Sequence, residues 1–460
     1  MPNLTGLLSI AGHFAVARLS DRGRDRGALL AAQRRALDAF LRTVLPRAPF
    51  YARRRGAALG DLPIVDKARV MGEFSAFNTR GIAWDDALAV ALRAERTRDF
   101  SPAIGDVTVG LSSGTSGNRG LFLVSAAERR RWAGTILART LTASMLRRIV
   151  SPLAPPLRAA FFLRANSNLY GSVASRRVRL EYFDLLVPFA QHVARLRALR
   201  PHVLIAPAGM LRMLAREQLA GTLAIAPERV ISVAEVLDDD DEAAIAEAFG
   251  QPVHQIYQCT EGLLGFTCGR GSLHLNERCV HVEPEWLDAE RTRFTPILTD
   301  FTRSTQIFAR YRLDDVLHSG PPCACGRPER TIARIEGRLD DVLRLTGTDG
   351  TPRPVFADFV RRAMMFCGER VRDYRVRQTG TLLEIALDTT TGAAGDVGTR
   401  DAMQAAVRAE LARLWDEVAV TAPAVTFVPW PVEPPGTKRR RITVAPAIAA
   451  EVEASAMVER

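Results

Sequence analysis

The fold is decided by one stretch of the chain, residues 201–257, which reads PHVLIAPAGMLRMLAREQLAGTLAIAPERVISVAEVLDDDDEAAIAEAFGQPVHQIY. Short apolar runs rich in β-branched residues alternate there with longer segments of helical character. The runs are Val203–Ala206, Arg229–Val233 and Val253–Tyr257, and the predicted helices are Met210–Leu219 and Asp239–Phe249. Strands that alternate with helices in this way pair as a parallel sheet covered by helices. The stretch therefore predicts an α/β fold with a wound parallel sheet.

Polar side chains follow two of these strands directly. Glu235 comes just after the second run, and Thr260 and Glu261 come just after the third. Ligands of such sheets bind beyond the carboxyl ends of the strands. We therefore expect two acids and a hydroxyl to face one ligand-binding crevice.

An upstream loop has a composition suited to an anion. Residues 112–120 read SSGTSGNRG. Glycines and successive backbone amides in such a turn form an anion-binding concavity, and the hydroxyls add donors for phosphate oxygens. Both flanks, Asp106–Leu111 and Leu121–Val124, have strand patterns, so the loop joins strand to strand and lacks the helix and the Gly-Lys-Ser/Thr ending of a Walker-type loop. A plain glycine-rich turn remains the alternative.

Composition narrows the class of protein. The 460 residues are 47% hydrophobic and 25% charged, which is the balance of a soluble globular chain. The net charge of +11 raises nucleic-acid binding as an alternative of another class. The arginines are scattered, however, with no basic tail or aromatic-interleaved stripe, so no nucleic-acid partner is expected. Lys67 and Lys438 are the only lysines, and a lysine kept against this arginine bias suggests a need for a compact ammonium group.

The same residues give expectations about location. Six cysteines in this length do not form a secreted disulfide framework. The apolar N-terminus, Leu4–Ala17, lacks a basic n-region and is predicted to be a packed helix that leads to a second helix, Ala28–Val44. No run approaches the ~20 apolar residues of a membrane helix. We expect a cytoplasmic protein without a membrane partner, whose oligomeric state stays open, with a dimer as one alternative.

The chain changes character after Arg334–Arg338. A hairpin of Tyr374–Arg377 and Leu382–Leu387, a helix at Arg400–Trp415 and a strand at Val425–Val428 predict a compact α+β domain. We expect a large N-terminal domain, residues 1–339, and a small C-terminal domain, residues 340–460.

Five separated segments together resemble one family. They are Ser112–Gly120, Tyr257–Glu261, Tyr311–Asp315, Arg334–Asp341 and Gly436–Lys438. In this order they resemble the adenylate-forming (AMP-binding) enzymes, which activate a carboxylate with ATP and pass it to a thiol or an amine. The length and the segment Cys323-Ala324-Cys325-Gly326 are most similar to the phenylacetate–coenzyme A ligase branch, including its deazaflavin-adenylating relatives.

The resemblance implies a role for each matching residue. The phosphate loop would comprise Ser112, Ser113, Gly114, Thr115, Ser116, Gly117 and Arg119. Tyr257 would pack on adenine beside Glu235, Thr260 would bind the α-phosphate, and Glu261 would bind Mg²⁺, which takes one or two carboxylates. Asp315 and Arg338 would bind the ribose, Lys438 would bridge the substrate carboxylate and the α-phosphate, and Asp340 would be the hinge about which the small domain rotates.

The resemblance also leaves alternatives open. Coenzyme A is the leading acceptor of the acyl group, and a carrier-protein thiol or an amine is an alternative. Transfer of AMP to a phenol or another hydroxyl, as in the deazaflavin-adenylating relatives, is a further one. The chain departs from the family's pattern at Gln258, where a glycine is common, and at Asn118-Arg119-Gly120, where many members have Gly-Lys-Pro.

Four residues form a candidate zinc set. Cys268 and His274 lie close together in the chain, and Cys323 and Cys325 flank Ala324. Three thiolates and one imidazole are a common structural zinc set, and some members of the resembling branch carry a structural metal in this region. The alternative for Cys268 is a buried small hydrophobic residue.

Overall fold

The computed structural model describes residues 4–20, 25–99, 101–111, 120–163, 173–365, 367, 371–389, 397–432 and 439–445. The chain divides into two compact units. The first comprises Met1–Leu313 and Leu317–Ile335, and the second comprises Asp314–Val316 and Glu336–Arg460. The domain boundary after residue 339 stays a prediction.

The two helices predicted near the N-terminus are present as Leu4–Ser20 and Arg26–Thr43. The full set of α-helices among the described residues is Leu4–Ser20, Arg26–Thr43, Pro49–Ala52, Lys67–Gly72, Trp84–Thr97, Ala126–Thr140, Ala143–Val150, Phe189–Leu199, Ala208–Leu219, Asp239–Phe249, Ala357–Met365 and Val397–Glu417. None of these described helices combines the length and the apolar character that crossing a membrane requires.

The strands of the described residues form four sheets. They are β1 (Ala103–Ile104), β2 (Val107–Leu111), β3 (Leu121–Ser125), β4 (Leu157–Leu163), β5 (Val178–Asp184), β6 (Val203–Ala206), β7 (Arg229–Val233), β8 (Val253–Cys259), β9 (Gly262–Thr267), β10 (Leu273–Leu275), β11 (Val280–Trp286), β12 (Arg293–Asp300), β13 (Tyr311–Arg312), β14 (Asp315–Ser319), β15 (Thr331–Arg338), β16 (Leu343–Thr346), β17 (Pro352–Val355), β18 (Val371–Thr379), β19 (Leu382–Thr389), β20 (Ala424–Val428) and β21 (Ile442–Val444).

The predicted parallel sheet is present in the order β5-β4-β6-β7-β8. Its strands and helices in the stretch 201–257 begin and end within two residues of the predicted bounds. Helices cover the sheet because apolar side chains of both elements interlock in one cluster, in which Phe162, Leu204, Leu211 and Ile245 are fully buried. The α/β prediction is confirmed.

The sheet does not end at β8, as the strand–helix alternation suggested, but continues in the antiparallel direction. β9 pairs antiparallel with β8, and β10, β15, β14, β12 and β11 follow in that order across the sheet. A second apolar cluster, which includes the fully buried Tyr51, Phe77 and Leu298, packs there. The large sheet is therefore half parallel and half antiparallel.

The phosphate-loop flanks form the hairpin that the sequence predicts. β2 and β3 are antiparallel, with Leu111 opposite Leu121. The side chain of Gln306 extends the edge of β3, since its Oε1 accepts from Leu123 N (3.0 Å) and its Nε2 donates to Leu121 O (3.4 Å). The strand-to-strand placement of the loop is confirmed, while residues 112–119 themselves lie outside the described residues.

Glu128 ties this hairpin to the segment that follows β12. Its Oε2 accepts from Ser125 N (2.7 Å), and its Oε1 accepts from the backbone N–H groups of Ser304 (2.6 Å) and Thr305 (3.0 Å). Burial alone raises the pKa of the Glu128 carboxyl, but the Arg303 charge and these N–H donors outweigh it and hold the pKa below its ordinary value. The ionised carboxylate therefore stabilises the helix start and the hairpin together.

The second unit contains the predicted α+β elements. Its sheet has the order β20-β19-β18-β21. The predicted hairpin is β18 and β19, joined at Gly380, whose φ of 61° suits a glycine. Helices Ala357–Met365 and Val397–Glu417 pack their apolar faces in the same cluster as this sheet.

One carboxylate organises the chain just before β21. Asp373 accepts from Arg439 (Nη2–Oδ1 2.8 Å), Arg441 (Nε–Oδ1 3.0 Å) and Arg375 (Nη1–Oδ2 3.0 Å). Burial alone raises the pKa of this carboxyl, but the hydrogen bond and charge of Arg439 and the charges of Arg441 and Arg375 hold it well below its ordinary value. The carboxylate is thus the common partner of three guanidinium groups.

Replacing Glu128 by glutamine is expected to lower the free energy of unfolding by about 2 kcal/mol, because the new amide group would oppose buried N–H donors. Urea denaturation measures this change. The control is Glu247→Gln, at an exposed position of helix Asp239–Phe249, which should change the same quantity by no more than about 0.5 kcal/mol. An unchanged stability of the Glu128 variant would contradict the role assigned to this carboxylate.

Replacing Asp373 by asparagine is expected to destabilise the second unit by about 3 kcal/mol near neutral pH, because three partly buried guanidinium groups lose the negative charge that they share. Since the folded pKa is depressed, this stabilisation is complete above the unfolded pKa, about 3.8, and is lost as pH falls through the folded pKa. The stability difference between wild type and variant should therefore shrink below about pH 4. Asp416→Asn, at an exposed position of helix Val397–Glu417, is the control, and a difference independent of acid pH would contradict the assignment.

Candidate functional site

The polar end of β8 is a two-residue turn into β9. Cys259 pairs with Gly262 across the turn, which leaves Thr260 and Glu261 at its tip. Thr260 Oγ1 donates to Glu261 Oε2 (2.8 Å), and the Glu261 side chain is buried. Tyr257, which is also buried, lies on the same strand, two residues before Cys259. The structure therefore brings together three of the residues that the sequence assigned to nucleotide binding.

A carboxylate that sequence reasoning missed lies against this turn. A Cβ at Gly262 would lie 2.7 Å from Asp300 Oδ2, so a larger residue there would have to displace the Asp300 carboxylate. Complete burial raises the pKa of the Asp300 carboxyl to about 6, although Arg303 and the Thr302 hydroxyl and N–H favour its ionised form. Asp300 is an acid at the end of an apolar run, and this pattern also identified Glu235. The strand that ends at Asp300 is antiparallel to its neighbours, however, and the expectation of ligand binding beyond strand ends applies to parallel strands.

Glu235 follows β7 at the same edge of the parallel sheet. Ala234, directly before it, has a φ of 66°, a left-handed conformation that is strained for a residue with a Cβ. Glu235 Oε2 accepts from Gly209 N (2.8 Å), in the first turn of helix Ala208–Leu219. Because β7 and β8 are parallel neighbours with Val233 opposite Ile256, Glu235 and the β8 turn lie at one sheet edge, as predicted.

The second unit contains the other predicted nucleotide residues that are described. Asp315 Oδ1 lies 3.8 Å from Arg338 Nε. Asp341, which the sequence did not single out, accepts from Arg338 N through Oδ2 (2.9 Å) and from the Arg440 guanidinium through Oδ1. Asp341 therefore connects the ribose-assigned segment with the chain that follows Lys438.

The phosphate loop, Lys438 and the side chain of Asp340 lie outside the described part of the chain. Asp340 lies in a 3₁₀ turn, Leu339–Asp341, but its side chain is outside the described part. Lys438 lies outside the described residues altogether. Their assigned roles stay predictions.

The candidate zinc ligands converge. One ligand atom from each of Cys268, His274, Cys323 and Cys325 lies within 4.8 Å of all the others. Cys268 Sγ is 3.8 Å from Cys323 Sγ, and Cys325 Sγ is 3.4 Å from His274 Nε2. A tetrahedral zinc ion bound by sulfur and imidazole nitrogen separates its ligand atoms by roughly 3.5–3.8 Å. The four side chains therefore have the composition and the spacing of a structural zinc site.

Neighbouring groups favour the metal-binding form of three of these candidate ligands. His274 is fully buried, and its Nδ1 lies 3.1 Å from Glu329 O. Donation from Nδ1 to that carbonyl would leave Nε2 as the metal-facing lone pair. Cys268 Sγ accepts from Arg270 N (3.3 Å), and Cys323 Sγ accepts from Cys325 N (3.4 Å). Such N–H donors stabilise thiolates, the form in which cysteine binds a metal.

Comparison of the sequence with protein-family models and with curated proteins finds no match. Solved structures do match. 2-Hydroxyisobutyryl-CoA ligase in the postadenylation state, in complex with R3-HIB-AMP, is 16% identical, with 94% of this chain and 92% of that chain covered and a TM-score of 0.63. The same ligase in an open conformation with 2-HIB-AMP and CoA is 17% identical over 91% of both chains, with a TM-score of 0.52.

An amide-forming enzyme is similar to a comparable extent. AtGH3.15 acyl acid amido synthetase in complex with 2,4-DB is 13% identical, with 88% of this chain and 89% of that chain covered and a TM-score of 0.53. At these identities the likeness concerns the fold. The chain has the two-domain α/β fold of the adenylate-forming enzymes, the same group that its five sequence segments resemble.

Proposed function

We propose that the chain is an ATP-dependent ligase that activates a carboxylic acid as its acyl-adenylate. The observation that carries the proposal is the Thr260–Glu261 turn, a hydroxyl bonded to a buried carboxylate at the carboxyl end of β8. It lies at the edge where ligands of such sheets bind, in a fold shared with 2-hydroxyisobutyryl-CoA ligase. In the proposed step a substrate carboxylate oxygen attacks the α-phosphorus of ATP, and pyrophosphate leaves.

Four residues of the chain would have separate roles in this adenylation step. Thr260 Oγ1 would donate to an α-phosphate oxygen. Glu261 would hold Mg²⁺, which needs few protein carboxylates when phosphate oxygens complete its coordination, and the ion would offset the phosphate charge. Asp315 would accept from the ribose hydroxyls, and Lys438 would place an ammonium where negative charge grows in the transition state.

For the second step we propose transfer of the acyl group to a thiol, with coenzyme A first. The fold is shared with a coenzyme A ligase crystallised with 2-HIB-AMP and CoA and with an acyl acid amido synthetase, so an amine is the alternative acceptor. A small-domain rotation about Asp340 would separate the two steps. None of the six cysteines, all of which lie in the described part of the chain, forms a disulfide, which supports a cytoplasmic location.

We also propose that Cys268, His274, Cys323 and Cys325 hold a structural zinc ion. Two ligands come from the hairpin of β9 and β10, and two come from the loop between β14 and β15. The ion would cross-link these segments without taking part in adenylation, since all four ligand positions are filled by protein.

Pyrophosphate exchange with a panel of carboxylic acids tests the adenylation proposal. Wild type should exchange pyrophosphate into ATP with at least one acid, and Lys438→Ala should lower that rate by about 10²–10³-fold. Lys67, the only other lysine, provides the matched control, because Lys67→Ala should retain exchange. Exchange with a phenol instead of an acid would favour AMP transfer to a hydroxyl, and salt-sensitive nucleic-acid binding without any exchange would overturn the ligase.

Metal analysis of protein purified without chelators tests the zinc proposal. About one zinc per chain is expected, and Cys268→Ser and Cys323→Ser should each lose most of it and lower the thermal midpoint. Cys367→Ser removes a cysteine of the second unit and should keep the metal. Clearly substoichiometric zinc in the wild type would remove the proposal and leave adenylation untouched.

A further inference from the structure

Gln258 is held in one orientation by a residue far away in the sequence. Its Oε1 accepts from Trp132 Nε1 (2.9 Å), on helix Ala126–Thr140. An indole N–H can only donate, so the amide must turn its oxygen toward Trp132. Both hydrogens of Nε2 are therefore directed away from the indole. Within the described part of the chain, no acceptor is bonded to Nε2.

The local backbone aims Gln258 away from the apolar core. The pairing of β8 with β9 shifts register between Tyr257 and Gln258, but the extra residue is Leu264 on β9, so successive side chains of β8 still alternate between the two faces. Tyr257 and Cys259 pack with the apolar cluster on one side, whereas Gln258 reaches the helix on the other. The alternation along β8 and the hydrogen bond from Trp132 together give Gln258 a fixed place at the end of β8.

This place is close to the proposed reacting atoms. Thr260, which would hold the α-phosphate, is two residues further along, so its backbone is at most about 7 Å from that of Gln258. Helix Ala126–Thr140 begins directly after β3, the strand that follows the phosphate loop in the chain. The Trp132–Gln258 bond therefore joins the helix that follows β3 to the strand end that precedes Thr260.

We propose that Gln258 is a specificity-determining residue that selects acids with a hydroxyl or carbonyl oxygen close to the carboxylate. Its Nε2 donates to that oxygen, and Trp132 is the positioning residue that keeps the donor facing the substrate. This inference rests on the proposed function, since it needs an acid to be activated at Thr260. An acid without such an oxygen would leave two half-buried N–H donors unmatched, which lowers its affinity.

Matched pairs of acids test the inference by pyrophosphate exchange. The pairs are mandelate with phenylacetate, 2-hydroxybutanoate with butanoate, and salicylate with benzoate. In at least one pair, wild type should have the higher kcat/KM for the oxygen-bearing acid. Gln258→Met, similar in size and without donors, should reduce that preference about tenfold. Trp132→Phe, which removes only the indole N–H, should reduce it about threefold, with little change in the thermal midpoint.

The outcomes separate the two proposals. If Gln258 had only a structural role, Gln258→Met would slow exchange with both acids of a pair equally. An unchanged preference for the oxygen-bearing acid in Gln258→Met, or in Trp132→Phe should the first variant not fold, would overturn the inference. Retained exchange in those variants would still support the ligase. A wild type that prefers the acid without the oxygen in every pair would also overturn it. A wild type that exchanges with no acid would overturn the ligase and the inference together.

Discussion

One change of strand direction gives the candidate site its geometry. In the large sheet β5, β4, β6, β7 and β8 are parallel, and helices join β6 to β7 and β7 to β8, but β9 runs antiparallel to β8 and follows after two residues. The turn consists of Thr260 and Glu261, and the glycine that follows it leaves space for the Asp300 carboxylate. Within the turn, Thr260 Oγ1 donates to the buried Glu261 carboxylate. The hydroxyl and the carboxylate therefore orient each other.

Much of this arrangement could be predicted because it follows from the pattern of apolar and polar residues within short segments of the sequence. Strands β6, β7 and β8 and their helices follow from apolar runs and helical segments between residues 201 and 257, and the β18–β19 hairpin follows from two strand patterns around Gly380. The parallel edge then places Glu235 and Thr260 together without any motif. Local pattern was sufficient because each of these contacts joins neighbouring elements of the chain.

The remaining features depend on contacts between residues that are far apart in the sequence, and the periodicity of a sequence does not predict such contacts. Trp132 and Gln258 are 126 positions apart, and Asp341 and Arg440 are 99 apart. The antiparallel half of the large sheet was missed for the same reason, since β10 pairs with β15 across the segment that contains β11 to β14. The set of Cys268, His274, Cys323 and Cys325 was the exception, because cysteine and histidine are rare in this chain and their chemistry suggested a set that the structure brings together.

The arginines around Asp373 also affect how the second unit responds to salt. Arg375, Arg439 and Arg441 all pair with Asp373, and each of these side chains is at most 15% exposed. Salt screens partly buried pairs of this kind much less than exposed ones. The order that they give to the chain just before β21 should therefore persist at ionic strengths that weaken exposed pairs such as Arg362–Glu417. The cluster thus makes the local fold of the second unit less sensitive to the salt concentration of its surroundings.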